Sequence, residues 1–496
     1  MRGGAPHKLR DDAIAWSVSR DGSWIAISTN EGTFGDREIW RISPDGQEAQ
    51  KLYEAGENSG FMGGAEWSPD GQRVAYMKYH ETPEQAESAI LSQDMKGGPA
   101  VVAVRDFVIG YSWSPDGRII YSRQEPGSAS ENCNFWGVRI DARTGKPREQ
   151  AKRLTNWAFC MDSPSITADG KRLTFRRWLP PQSNVFVSDL EGNGTRISTP
   201  KRLTLDDRLN LPAAWTPDSN AVVFRSYRDG LWRILKQRPN EDSAAIIVSG
   251  ADAGSAMGAR VSPDGAWLLY TAPPSDNASS SFFDLSIPLT RLMRVPIMGG
   301  SSELVFNARL PDYGVYNDPV CARAPSKLCV ITEQTADRKQ LIFTAFDPIR
   351  GRGHELARYE ITWPGAYDWD LSPDGSRLAI SKYSGQQIHI LPLNGDTATN
   401  IVVKGWSSLW SLNWAADGKG LFVSSATQSG SALLRVDLKG NAHVLWQQKR
   451  SIAPWSAPLP VVIGPSAPWA VPSPDGRHLA IYQWNLNANI WMMENF

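Results

Sequence analysis

The sequence predicts an all-β protein, a β-propeller of about ten four-stranded units. Three observations predict it. A Ser-Pro-Asp-Gly corner recurs from one end of the chain to the other. The segments after the corners are almost continuously apolar. The 496 residues include 21 Trp, 42 Gly and 34 Pro, a composition that favours turns and strands over helices.

The unit is clearest in Ala65 to Tyr79, AEWSPDGQRVAYMKY. Pro69 presets φ at the second position of a turn, Asp70 can bond the backbone within it, and Gly71 supplies the left-handed conformation that closes it. Trp67 and the run Val74 to Tyr76 are then the two arms of a hairpin.

In chain order, Gly4 to Arg10 is expected to be a strand without its own partners. The first corner is Trp16 to Gly22, leading into Trp24 to Ser28, with strands near Glu38 to Ile42 and Gln50 to Tyr53. The second is the unit above. Glu81 to Gln93 is one of the few stretches that a short helix would fit. The third corner is Trp113 to Gly117, followed by Ile119 to Tyr121. The fourth, Ile166 to Gly170, replaces Pro with Ala168, and the fifth, Trp215 to Ser219, places Ser219 where Gly is expected. The sixth is Val261 to Gly265. The seventh slot, Pro319 to Thr332, has a cysteine hairpin around Pro325 instead. The remaining three are Leu371 to Gly375, Trp414 to Gly418 and Pro472 to Gly476.

The corners, near residues 21, 70, 116, 169, 218, 264, 325, 374, 417 and 475, recur every roughly 43 to 60 residues, the period of propeller blades. Arms such as VAYM, IIYS, VVFR and LLYT read as strands covered on both faces, as blades packed between neighbours are. Second hairpins recur too, as in Tyr227 to Trp232 before Arg233 to Gln237. The domain expected is therefore one propeller over 1–496. The chain ends after Asn489 to Met493, one strand short, so the N-terminal strand is expected to complete the last blade in one closed ring. Two smaller propellers with exchanged end strands satisfy the same count.

The 52 basic and 52 acidic residues cancel, which argues against general attraction to nucleic acid or an anionic membrane. No apolar run approaches the roughly 18 residues of a membrane span, and MRGGAPHKLRDDA lacks the apolar core of a signal peptide. Two cysteine pairs are expected, Cys321 with Cys329 across a turn and Cys133 with Cys160 between successive units. Paired cysteines imply an oxidising, extracytoplasmic compartment; buried free thiols are the alternative.

Catalytic chemistry is not evident. Turn geometry accounts for the recurring aspartates Asp21, Asp70, Asp116, Asp169, Asp218, Asp264, Asp374, Asp417 and Asp475. The histidines His7, His80, His354, His389, His443 and His478 are isolated, without metal-ligand spacing. The nearest string to a nucleophile elbow, Gly254 to Gly258, has Ser in the wrong place. No cofactor is expected. Trp16, Trp67, Trp113, Trp215, Trp369 and Trp414 recur with the units and are assigned to blade packing. The non-recurrent Phe282, Phe283, Trp406, Trp410 and Trp455 are the ligand-binding candidates. Phe282 and Phe283 lie in the long insertion Ala272 to Thr290, and Trp455 in Ser451 to Pro468.

The corners and arms together resemble the TolB-like, WD-repeat-like bacterial propellers, whose hallmark is xWSPDGxxIAF. The segments NCNFW (Asn132 to Trp136), DARTGK (Asp141 to Lys146), RLTNW (Arg153 to Trp157), ITADGKRLTF (Ile166 to Phe175) and IWMMENF (Ile490 to Phe496) resemble the C-terminal propellers of membrane-anchored bacterial serine/threonine kinases and winged-helix regulators. That resemblance implies an extracytoplasmic sensing or interaction module. The kinase, winged-helix and membrane segments of such proteins are absent from this sequence. The function expected is non-catalytic binding of a protein, peptide or small ligand. A TolB-like periplasmic scaffold is one alternative, and a propeller lyase or hydrolase with its site at the channel mouth is another.

Overall fold

A computed structural model describes residues 8–496 except 33–34, 57–58, 82–85, 107, 125–132, 158, 179–181, 229–230, 250–256, 273–289, 310–318, 338, 363–366, 384, 407, 428–429, 450–467, 486–487 and 495. Phe282, Phe283 and Trp455 lie outside the described residues.

The corners form as their chemistry requires. Ser68 Oγ donates to Asp70 Oδ1 at 2.6 Å and accepts the Arg73 N–H, while Asp70 Oδ1 accepts the Gln72 N–H. Gly71 sits at φ +69 and its N–H closes the turn on Ser68 O. This corner thus pairs its side-chain acceptors and closing N–H groups within its own hairpin. The same bonds recur from Ser or Thr to Asp at Asp21, Asp169, Asp218, Asp264, Asp374 and Asp475. Ser43 to Gly46 is a further corner of this type, placed between the third and fourth strands of the first unit rather than the first and second.

Numbering blades by their corners, blades 1, 2 and 3 are antiparallel four-stranded sheets over 13–54, 59–105 and 108–153. Blades 5 to 9 span 209–248, 257–308, 320–360, 367–402 and 409–449 in the same up-and-down order. Four innermost strands are buried throughout, Val108–Trp113, Leu209–Trp215, Tyr367–Leu371 and Ala470–Pro472. The strands that follow the corners, such as Val222–Arg228 and Trp267–Ala272, are likewise buried over most of their length, which explains the nearly continuous apolar character of those arms.

Blades 4 and 10 are built by exchange. In blade 4, Met161–Ile166 and Arg172–Trp178 are followed in the sheet by Ala488–Glu494 from the far end of the chain. In blade 10, Ala470–Pro472 and His478–Asn485 are followed by Gln182–Glu191, edged by the short strands Arg196–Ile197 and Lys201–Arg202. The chain thus passes twice between the two units, over 178–182 and 485–488.

The innermost strands of blades 5, 6, 7, 8, 9 and 10 neighbour one another in turn, and blade 10 returns to blade 5. Six blades therefore close on themselves. Trp215 Nε1 donates to Val471 O at 2.9 Å across the closing seam, and the Asp475 N–H donates to Ser219 Oγ at 3.1 Å. Blades 1 to 4 neighbour one another in a row. The outer end of that row shows on blade 1, where Ala13–Val18 is only half-buried and Val18 is 58% exposed.

The all-β propeller class therefore holds, and the arrangement is that of the two-unit alternative with exchanged strands. The single ten-bladed ring is corrected: six blades close without the other four. The closing partner is corrected too, because the last strand pairs with Arg172–Trp178 rather than with the N-terminal segment. Lys8 to Arg10 form no strand, and residues 1–7 lie outside the described residues. Nor is 86–94 helical: Ala86–Asp94 is the third strand of blade 2, with Ile90 fully buried at its centre. Tertiary burial overrides its helix-compatible composition.

Both cysteine pairs are disulfides, Cys133–Cys160 and Cys321–Cys329. The first ties the third strand of blade 3 to the entry of blade 4. The second joins directly opposed residues of the first two strands of blade 7, where the corner chemistry is missing.

Candidate functional site

The channel of the six-bladed ring is where residues from every blade of that ring converge. Its walls include Ala213, Arg260, Val320, Asp368, Asn413 and Val471, one from each innermost strand. The space left between them is about 30 Å³, room for about two water molecules.

Arg260 and Asp368 line the channel, and they and Asp370 bond to the ring's own backbone. Asp368 Oδ2 accepts the Leu412 N–H at 2.8 Å and its Oδ1 accepts the Trp369 N–H at 2.9 Å. Asp370 Oδ2 accepts the Trp414 N–H at 2.7 Å, with Oδ1 on the Leu371 N–H at 3.0 Å. Burial pushes the Asp370 carboxyl up to about 6, opposed by the Trp414 N–H and by the Arg260 and Arg323 guanidinium groups. Arg260 Nη1 donates to Ala213 O at 2.7 Å on the preceding blade.

The cysteine hairpin explains how the corner end of the channel is held. It carries Arg323, whose N–H donates to Pro373 O in the corner of blade 8 at 2.7 Å. Its Nη1 donates to Pro474 O in the corner of blade 10 at 2.8 Å. Blade 7 lies across the ring from blade 10, so this one side chain spans the channel end. Burial lowers the affinity of Arg323 for its proton, and Asp370 and Asp475 counter that effect.

The same inter-blade device occurs in the four-bladed unit. Glu66, two residues before the corner serine as Asp370 is, accepts the Trp113 N–H at 2.8 Å and the Ser112 hydroxyl at 3.2 Å. Burial pushes its carboxyl up to about 7. An acid at this position reaches the backbone of the next innermost strand and fixes the spacing of two blades. Aligning the corners exposes this column in the sequence, since Glu66, Arg260 and Asp370 stand there among uncharged residues.

A second hollow, of about 530 Å³, lies at the corner end of the seam between blades 10 and 5. His478 and Asp189 meet there, Nδ1 to Oδ1 at 2.8 Å, although 289 residues separate them. No sequence signal announces that pair, because it exists only through the strand exchange.

Of the sequence-selected aromatics, Trp406 packs half-buried against the core between blades 8 and 9. Trp410 is also half-buried, stacked on Tyr383 with ring centroids 6.0 Å apart. The packing tryptophans behave as expected: Trp67, Trp113, Trp215, Trp369 and Trp414 are all buried. Trp16 and Trp369 stand two residues earlier than the others on the same strand face. Among the described residues no three potential metal ligands cluster, and no helix is long and apolar enough to cross a membrane.

Fold and site together define the class, an all-β propeller protein with a filled ring channel. No protein-family model and no curated protein matches the chain. Among solved structures, a TolB candidate from Agrobacterium tumefaciens is 15% identical over 62% of this chain and 100% of its own, with a TM-score of 0.44. TolB from Acinetobacter baumannii is 16% identical over 64% of this chain and 58% of its own, at 0.22. An oligogalacturonate lyase from Vibrio parahaemolyticus is 12% identical over 70% of this chain and 91% of its own, at 0.24. The propeller assignment rests on the chain's own sheets.

Proposed function

We propose that the chain is an extracytoplasmic β-propeller that binds a protein or peptide partner through its surface and does no chemistry in its channel. The observation that carries this reading is the filled channel. Asp370, with its raised affinity for a proton, is the group a general base would need. Both of its oxygens, however, already accept backbone N–H groups of the ring. The two disulfides favour an oxidising compartment. The likeness of NCNFW and its companion segments to kinase-linked propellers supports a sensing role for such binding.

The binding face in this reading is the one opposite the corners, where Trp410 stands at the start of its strand beside Tyr383. Half-buried aromatics on a rigid scaffold are efficient anchors because little side-chain freedom is lost on contact. A displayed peptide library panned on the oxidised chain tests the proposal. Enriched peptides are expected to lose about tenfold or more in affinity for Trp410→Ala, the scale of an anchor contact. Failure to enrich any peptide, or equal binding to Trp410→Ala, refutes the assignment of that face. Turnover of a substrate that is abolished in Asp370→Asn at unchanged stability would establish the enzyme reading instead.

A further inference from the structure

We propose that the hollow at the closing seam of the six-bladed ring is a binding site for a small organic or inorganic oxyanion, a carboxylate or a phosphate. Its size, about 530 Å³, falls in the range of roughly 300–1,000 Å³ typical of small-molecule sites.

The seam is hollow for a local reason. Among the described residues, the outer edge of blade 10 is made of the two-residue strands Arg196–Ile197 and Lys201–Arg202, with a single bridge from Ser183 to Leu209 of blade 5. Blade 5 beside it has four regular strands, and Arg238 stands in the turn between the third and the fourth. A space lined from both blades remains between them.

Its charge is lopsided. Lys201, Arg202 and Arg238 line it, and Asp189 is the carboxylate among the lining residues. Asp189 is already engaged by His478 Nδ1. Arg202 is committed to the backbone, with Nε on Thr204 O at 2.6 Å and Nη2 on Asp206 O at 2.9 Å. Arg238 keeps only an exposed contact at 3.4 Å with Glu241, three residues on, and such pairs hold weakly. Lys201 and Arg238 therefore bring positive charge from opposite walls to a space whose own carboxylate is taken.

The third element is His478. With Nδ1–H donated to Asp189, the protonated imidazole presents Nε2–H as a second donor to a ligand oxygen. The ring is stacked on Trp215 at a centroid distance of 5.8 Å and an interplanar angle of 27°. Trp215 is itself fixed by its Nε1 bond to Val471 O. An imidazole oriented by a carboxylate and a packed indole is pre-organised, so binding costs little ordering of this group. Two flanking cations and the oriented Nε2–H of the imidazolium form suit the several acceptor oxygens of a carboxylate or phosphate.

This site is at the corner end of the ring and does not rest on the partner-binding reading. The test uses the full oxidised chain, labelled so that its six histidines are seen individually by NMR, with His478→Asn identifying the His478 signal. Citrate and inorganic phosphate are the probes, and glucose is the neutral control. Citrate or phosphate is expected to shift the His478 signal saturably, more weakly as salt is raised, with glucose having no effect. The double variant Lys201→Ala, Arg238→Ala is expected to weaken binding about tenfold or more at an unchanged melting temperature. Lys404→Ala, a cation on the far side of the ring, is expected to bind normally. Tighter binding of citrate assigns a carboxylate ligand, and tighter binding of phosphate a phosphate. Absence of a saturable His478 shift with both anions, or undiminished binding by the double variant, overturns the proposal.

Discussion

Glu66 and Asp370 show what a buried acid does in a blade seam. Each accepts one backbone N–H from the next innermost strand, and each has its carboxyl pushed up by burial, to about 7 and about 6. The sign follows from linkage: a group that holds its proton more tightly when folded stabilises the fold at low pH. For Glu66 that contribution is complete below its ordinary value of 4.5 and is lost as pH rises toward 7. Its size is about 3 kcal/mol at most. Urea midpoints measured from pH 4 to pH 8 are expected to fall across this window and to flatten in Glu66→Gln. An unchanged slope in the variant would show that the carboxyl is not the titrating group. Corner glycines are separable in the same way. Gly71→Ala has open space around the new Cβ and costs only the strain of φ +69, about 1–2 kcal/mol. Gly265→Ala, at φ +73, would also place its Cβ 2.6 Å from Pro217 Cγ of the preceding corner. It is expected to lower the melting temperature more than Gly71→Ala does.

At the scale of an element, the cysteine hairpin of blade 7 substitutes a covalent link for the missing corner bonds and positions Arg323 across the channel. Loop-closure entropy assigns the Cys321–Cys329 link about 2–3 kcal/mol and the longer Cys133–Cys160 loop about 3–4 kcal/mol. The Cys133→Ser, Cys160→Ser variant is therefore expected to unfold at lower denaturant than the wild type. The Cys321→Ser, Cys329→Ser variant is expected to lose more than its loop entropy, because Arg323 is released from Pro373 and Pro474 as well. Comparison with Arg323→Ala in the oxidised protein isolates that second part. Ser219 is the complementary case, a departure from the corner pattern kept by a tertiary bond. Its φ of +59 is strained for serine, yet its Oγ accepts the Asp475 N–H across the ring closure. Ser219→Ala keeps the strain and loses the bond, so it is expected to destabilise the ring by about 1 kcal/mol, read as a shifted denaturant midpoint.

For the whole molecule, the exchange of strands decides which blades depend on which part of the chain. Ala488–Glu494 belongs to the four-bladed unit, where Glu494 pairs with Arg172 at 2.9 Å. Gln182–Glu191 belongs to the six-bladed ring. Removing 488–496 leaves every strand of the ring in place and strips blade 4 of its third strand. Calorimetry of the shortened chain is expected to show one transition lowered and another unmoved. A uniform loss would mean that the two units unfold together.

How much of this was legible in the sequence differs with the range of the interaction. The corner chemistry, the two-sided burial of arms such as VVFR, the packing tryptophans and both cysteine pairs were readable. Each depends on residues within one blade or between successive blades, where spacing is a direct record of geometry. The partner of the last strand is not legible because a single edge strand carries no label for the edge it joins, and Ala86–Asp94 misleads because its composition suits a helix while its pairing register makes it a strand. Of the site residues, Asp370, Arg260 and Glu66 share a column that corner alignment exposes. His478 and Asp189 share nothing in sequence. The sequence by itself determined a propeller of ten repeating units, because every blade is specified by local turn and strand chemistry. Only the tertiary structure decided that six of them close, that Gln182–Glu191 and Ala488–Glu494 change places, and that a hollow opens at the closing seam. Blades repeat the same edges and faces, so pairing across some three hundred residues is settled by which edges meet in space.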